Sequence, residues 1–246
     1  MIRKTGVWVL LSFVFVLFTC SSSVAEPYLG GGLGVSMPHD VTDWKGSSGS
    51  YNLTLTDFTP ENSFAGGIKT GLFFKSMPNF GVEFNLSISD PDVDKEAITA
   101  AITGTAAGVF SGQASGDFLG TAEVDSLISY GFLAMLRVTD EDAKAKYNGI
   151  QPFLGLGFTV STIDVNSATL FNTAGTQLST TANSDSSTGV GFLLSAGLNY
   201  IVSDNIKVFS EYGFGTVEHT LTMDTGVNSE MTSESSSVVF GVSYSF

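Results

Sequence analysis

The sequence predicts an all-β protein, a single eight-stranded antiparallel up-and-down barrel that crosses a membrane behind an N-terminal export signal. Three observations carry this expectation. Several segments alternate large apolar with small or polar side chains at a period of two, the spacing that sends successive side chains to opposite faces of a strand. Of the 246 residues, 43% are hydrophobic and 12% aromatic while only 14% are charged, where soluble domains carry about 25% charged residues. Part of the surface must therefore face something other than water. Beyond the first stretch, no apolar run is long enough to cross a bilayer as a helix, and a closed barrel is the other way to pair every backbone group inside lipid.

At the N-terminus, Arg3 and Lys4 precede an apolar run over 7–18, and Ser23 and Ala25 place small side chains before Glu26. This is the pattern of a secretory leader, too short for a comfortable span, with cleavage expected after Ala25. The expected organisation is thus a signal peptide over 1–25 and a barrel domain over 26–246. Cys20 raises a lipid-anchor alternative, against which stands Thr19 in the place where a small Gly, Ala or Ser is usual. Without the leader the chain has no cysteine and hence no disulfide. It would then carry 8 basic and 24 acidic residues, a net charge of −16 rather than −14, which excludes nucleic-acid binding by charge attraction.

The strands follow in order. The expected spans are 28–36, 63–74, 80–89, 126–138, 151–163, 189–202, 206–216 and 238–246. The last shows the pattern most clearly, with Val238, Phe240, Val242, Tyr244 and Phe246 on one face and Gly241, Ser243 and Ser245 on the other. In 80–89, Phe80, Val82, Phe84, Leu86 and Ile88 share a face opposite Gly81, Glu83, Asn85 and Ser87. In 151–163, Leu154, Leu156 and Phe158 face lipid while Gly155, Gly157, Thr159 and Ser161 face inward; in 189–202 the outward set includes Val190, Phe192, Leu194 and Leu198. A polar face that is also small suits a narrow lumen. Residues 51–59 also alternate, which leaves ten strands open.

The links alternate in length. Those at 75–79 and 203–205 are short and that at 139–149 is intermediate, whereas 37–62, 90–124, 164–188 and 217–235 are long. Bacterial barrels have short turns on the periplasmic side and long loops outside, so both termini fall on the side of the short turns. The four long loops carry net charges of −3, −5, −2 and −4, nearly all of the excess.

With these elements placed, the chain resembles the small outer-membrane β-barrel superfamily that includes the OmpA transmembrane domain and the opacity-type surface proteins. The resemblance rests on YLGGGLG at 28–34, QPFLGLG at 151–157 and FGVSYSF at 240–246. It implies location in the outer membrane of a Gram-negative-type bacterium. It also implies that Val238, Phe240, Val242, Tyr244 and Phe246 form the signal read by the barrel-insertion machinery after escort by periplasmic chaperones.

No catalytic, cofactor or metal site stands out, and an enzyme is not expected. GGGLG at 30–34 lacks the Lys and Ser/Thr of a phosphate-binding loop. Asp90, Asp92 and Asp94 alternate like calcium ligands, but Lys95 stands where an EF-hand needs Gly and Ala101 where it needs Glu. Looser sharing of divalent ions between acidic loops and lipopolysaccharide phosphates fits better. A lipid A-modifying enzyme at the rim needs a His beside a Ser and an acid. Ser36, His39 and Asp40, or Glu218 and His219, are the candidates, and neither set has supporting local spacing.

Lys69, Glu83, Arg137, Lys207 and Glu211 are expected to point into the barrel, where charges must pair or line water. A paired polar plug makes the protein a structural surface barrel, adhesive through its acidic external loops; a narrow passive pore lined by the same groups is the alternative. The expected partners are outer-membrane lipid and lipopolysaccharide, and the expected state is a monomer.

Overall fold

A computed structural model describes residues 25–39, 44–48, 51–56, 60–90, 93–104, 115–171, 177–181, 185–222 and 228–246. Residues 1–24 of the expected leader, with Cys20, and also Asp40 and Asp92, lie outside them, while Ala25 is the first residue of β1. In chain order the strands are β1 (Ala25–Pro38), β2 (Trp44–Ser48), β3 (Tyr51–Thr56), β4 (Ser63–Phe74), β5 (Met77–Ser89), β6 (Val93–Gly104), β7 (Ser115–Arg137), β8 (Ile150–Phe171), β9 (Gln177–Thr181), β10 (Asp185–Ile201), β11 (Ile206–Thr222) and β12 (Asn228–Ser245), with one helix, α1 (Asp140–Lys146), between β7 and β8.

Eight of these strands close a ring. The order β1, β4, β5, β7, β8, β10, β11, β12 is antiparallel throughout and returns to β1 through a ladder from Tyr28 opposite Ser245 to Pro38 opposite Ser235. Closure leaves the ring without a free edge, which is the condition for strands in lipid. All eight expected segments are in this ring.

The strands run beyond the expected spans. β7 has 23 residues and β8 has 22, and the stretch 90–124, expected as a loop, contains β6 and the start of β7. Above the ends of β1, β4 and β5, the short strands β2, β3 and β6 bridge β12 to β7 and continue the wall on that side. Of these extensions, β3 falls in the alternating stretch 51–59 that left ten strands open; it pairs with β2 and β6 rather than joining the closed ring of eight. Residues 97–104, AITAAITG, pair through backbone ladders with β3 and β7.

The intermediate link is a helical turn with its own local logic. Thr139 caps α1 by accepting the Asp142 N–H at 3.2 Å, acidic residues occupy the first turn, and Lys144 and Lys146 the last. The helix ends where Asn148 and Gly149 adopt left-handed φ values of 51° and 84°, which turns the Gly149 N–H back onto the Ala143 carbonyl at 2.9 Å.

Candidate functional site in the barrel lumen and on its outer wall

The outer wall is apolar. Leu33, Phe64, Val190 and Phe240 each keep 60% or more of their surface exposed, a cost of roughly 1.5–3 kcal/mol apiece against water that disappears against hydrocarbon. Phe84, Phe132 and Phe158 face one another across adjacent strands with ring centroids 4.9 and 5.1 Å apart, and Phe192 continues the row in register. An apolar band around an edgeless ring is built for a bilayer. The fold is a closed, eight-stranded, up-and-down antiparallel β-barrel.

The five residues expected to form an assembly signal lie on this wall: Phe240, Val242, Tyr244 and Phe246 are 46–63% exposed, Val238 is half-buried, and the Tyr244 and Phe246 rings meet edge to face at 5.0 Å. The Phe246 N–H donates to the Pro27 carbonyl at 3.1 Å, so the last residue joins the closing ladder.

Inside, the five charged residues anticipated from the sequence fall into two layers. In the inner layer Lys69 Nζ donates to Glu211 Oε2 at 2.6 Å and lies 3.6 Å from Glu83 Oε2. Tyr28 O–H donates to that Glu83 oxygen at 2.6 Å, and Ser195 O–H to Glu211 Oε1 at 2.6 Å. The ammonium also sits 4.0 Å from the Phe209 ring centre and 5.0 Å from that of Phe153.

The second layer closes the end of the short turns. Arg137 pairs with Glu26 at 2.5 Å and with Asp140 at 3.4 Å, and its guanidinium covers the Phe73 ring at 3.7 Å. Lys207 pairs with Asp140 at 2.8 Å and donates to Gln151 Oε1 at 3.2 Å; Gln151 in turn donates to Asp140 at 2.6 Å. Asp140 belongs to α1, so the helical turn acts as a lid whose carboxylate reaches back to the barrel mouth. Burial raises the Asp140 carboxyl, but the hydrogen bond and charge of Lys207, with Arg137 beyond, outweigh it and hold the group below its ordinary value.

Sequence reasoning missed the aromatic and apolar half of this plug. Tyr28, Phe73, Leu133, Met135 and Phe153 form a buried cluster inside the barrel, although large apolar residues were expected to point outward. Parity along each strand contained the answer: Tyr28 is in step with Gly30, and Phe153 with Gly155. Partners from outside the core of a strand, Glu26 and Asp140, left no such trace.

Above the inner layer the lumen holds a cavity of about 150 Å³, lined largely by Ser, Thr and Gly residues with Lys69, Ser195 and Glu211 at its floor. Between the two layers remains a gap of about 30 Å³, lined by Glu83, Arg137 and Lys207 among others, room enough for a water molecule.

The two rim sets break apart. Ser36 is buried on the inner face while His39 is exposed beyond the end of β1, and Glu218 is exposed while His219 is 1% exposed and lines the cavity. Three residues in one case and one in the other put the partners on opposite faces of the wall. His39 meets instead Ser236 of β12, its Nε2 2.9 Å from Ser236 Oγ.

No family model matches the chain, and no curated protein matches it. Among solved structures it is similar to Neisserial surface protein A, at 14% identity and a TM-score of 0.46, over 89% of this chain and 97% of that one. It is similar to OprG from Pseudomonas aeruginosa, at 14% identity and a TM-score of 0.48, over 90% and 96%. Ail, the attachment invasion locus protein of Yersinia pestis, is 13% identical with a TM-score of 0.39, over 90% and 99%. At such values these likenesses carry nothing about what this chain binds or does.

Proposed function

We propose that this chain is a structural surface barrel of the outer membrane of a Gram-negative-type bacterium, monomeric and closed to solute flow. The observation that carries this reading is the pair of ionic layers across the lumen beneath an apolar outer wall. Each layer sets cations against carboxylates at hydrogen-bonding distance, so displacing either one exposes uncompensated charge in a narrow space. The acidic loops give the outer end a strongly negative surface suited to basic adhesion partners, or to divalent ions shared with lipopolysaccharide phosphates. The outward aromatic ending at Phe246 suits recognition by the insertion machinery, with chaperones holding the chain beforehand.

A narrow passive pore is the second reading, favoured by the cavity above the inner layer and the gap beneath it. The experiment begins with the chain folded into detergent micelles, where gel migration that changes on boiling reports a closed barrel. Planar-bilayer recordings follow. A plugged barrel shows essentially no conductance, and Glu83→Gln or Arg137→Met, by loosening a layer, introduces brief openings. Steady conductance of the unmodified protein would establish the pore instead.

A further inference from the structure

Residues from three strands converge on the outer wall at its loop end. His39, one residue past β1, holds Nε2 2.9 Å from Ser236 Oγ of β12, and the Tyr212 hydroxyl of β11 lies 2.8 Å from the same oxygen. Ladder register fixes the meeting: Ser236 stands opposite Met37 on one side and Phe214 on the other. The His39 N–H donates to the Glu234 carbonyl at 2.8 Å, and the imidazole meets the Phe214 ring at an angle, centroids 5.8 Å apart. A separation of 197 residues hides this pairing from any local motif.

Height on the wall gives the cluster its meaning. The next outward positions of β12 below Ser236 are Val238 and Phe240, the latter 63% exposed, and those above are the exposed Glu234 and Thr232. Ser236 therefore sits where the apolar band gives way to polar side chains. In a bilayer this is the interfacial depth at which acyl chains join the head group through ester bonds.

On the membrane reading above, we propose that Ser236 is an acyl-accepting nucleophile toward lipid esters of the facing leaflet, with His39 as its base and Tyr212 as donor to the oxyanion. His39 Nε2 takes the hydroxyl proton as Ser236 Oγ bonds to the ester carbonyl carbon. The carbonyl electron pair moves onto its oxygen, where the Tyr212 O–H donates. Collapse breaks the bond from the carbonyl carbon to the alkoxy oxygen, and His39 returns the proton to that departing oxygen. Water then repeats the sequence on the Ser236 ester, releasing a fatty acid and restoring the hydroxyl. Burial of Ser236 beneath the His39 and Phe214 rings keeps the pair out of bulk water. His219, inside the barrel, takes no part.

The test uses the full chain folded in mixed micelles, with a fluorophosphonate probe and vesicles of either ester-linked or ether-linked phosphatidylethanolamine. Expected are probe adduct on Ser236 by mass spectrometry, fatty acid released from the ester lipid alone, and loss of both in Ser236→Ala. His39→Gln lowers release by about 10²-fold or more, and Tyr212→Phe by about 10²-fold. All three variants retain heat-dependent migration, because each changes a side chain outside the plug and leaves the backbone ladders intact. A folded protein that takes no label and releases no fatty acid overturns the proposal, as does Ser236→Ala releasing as much as the parent. Absence of heat-dependent migration in the parent would instead remove the membrane reading, and the proposal with it.

Discussion

Lys69 is the one cation among the carboxylates of the inner layer, held against Glu211 and Glu83 and between the Phe209 and Phe153 rings. Removing one partner of a buried ionic group costs more than the group adds, since the remaining charges lose their compensation. Lys69→Met is therefore expected to destabilise the barrel by about 3–5 kcal/mol, measured by urea unfolding in lipid vesicles, and Glu83→Gln in the same chain to recover part of the loss. Asp140 gives a second residue-scale expectation. Its carboxyl lies lower in the folded than in the unfolded chain, where its ordinary value is 3.8. Its contribution is thus fully present above that value and is lost as pH falls through the lower folded one. The temperature at which the heat-shifted band converts should drop below pH 4 in the parent and drop less in Asp140→Asn. Lys69, Glu83 and Glu211 were legible in the sequence as inward positions by parity alone and Asp140 was not, and the division into two layers depends on strand register, which parity does not set.

The wall elements coil tightly, and at some inward positions only a glycine fits. A Cβ on Gly157 of β8 would overlap the Phe132 carbonyl oxygen of β7, a clash with backbone that no side-chain rotation relieves. Gly157→Val should prevent the β7–β8 ladder from forming, seen as loss of the heat-shifted species, whereas Ser237→Ala in β12 should leave it intact. The elements above the membrane obey another rule. β2 and β3 add only short ladders to a ring already closed by β1 and β12, so deletion of residues 44–56 should leave heat-dependent migration unchanged. Loss of that migration would mean that the extensions hold the barrel closed. Membrane strands were readable because lipid imposes alternation on them; of the extensions, β3 fell in the alternating stretch 51–59, while β6 lay in a stretch expected as a loop.

For the molecule as a whole, the placement of charge divides its surfaces. Excess negative charge is concentrated in the loops, the wall between is apolar, and the lumen balances cations against carboxylates in layers. A barrel of eight strands has an interior that side chains nearly fill, and here aromatic rings fill it as much as ions do. The same closure brings His39 of the first strand's end to Ser236 of the last strand, so the one imidazole on the outer wall gains a hydroxyl partner only when the ring is complete.

Closure of the ring decided eight strands rather than ten. The amino-acid sequence alone determined the order of the expected strands, which alternating side chains face lipid and which charges face the lumen. All of these follow from a period of two within one strand and from the lengths of the links between strands. Tertiary structure alone decided which charge meets which, that Glu26, Asp140 and Tyr28 complete the layers, and that Ser236 rather than Ser36 lies beside His39. Those pairings depend on the stagger between strands far apart in the chain. Stagger is set by backbone hydrogen bonding and closure of the whole ring, to which no single segment holds the key.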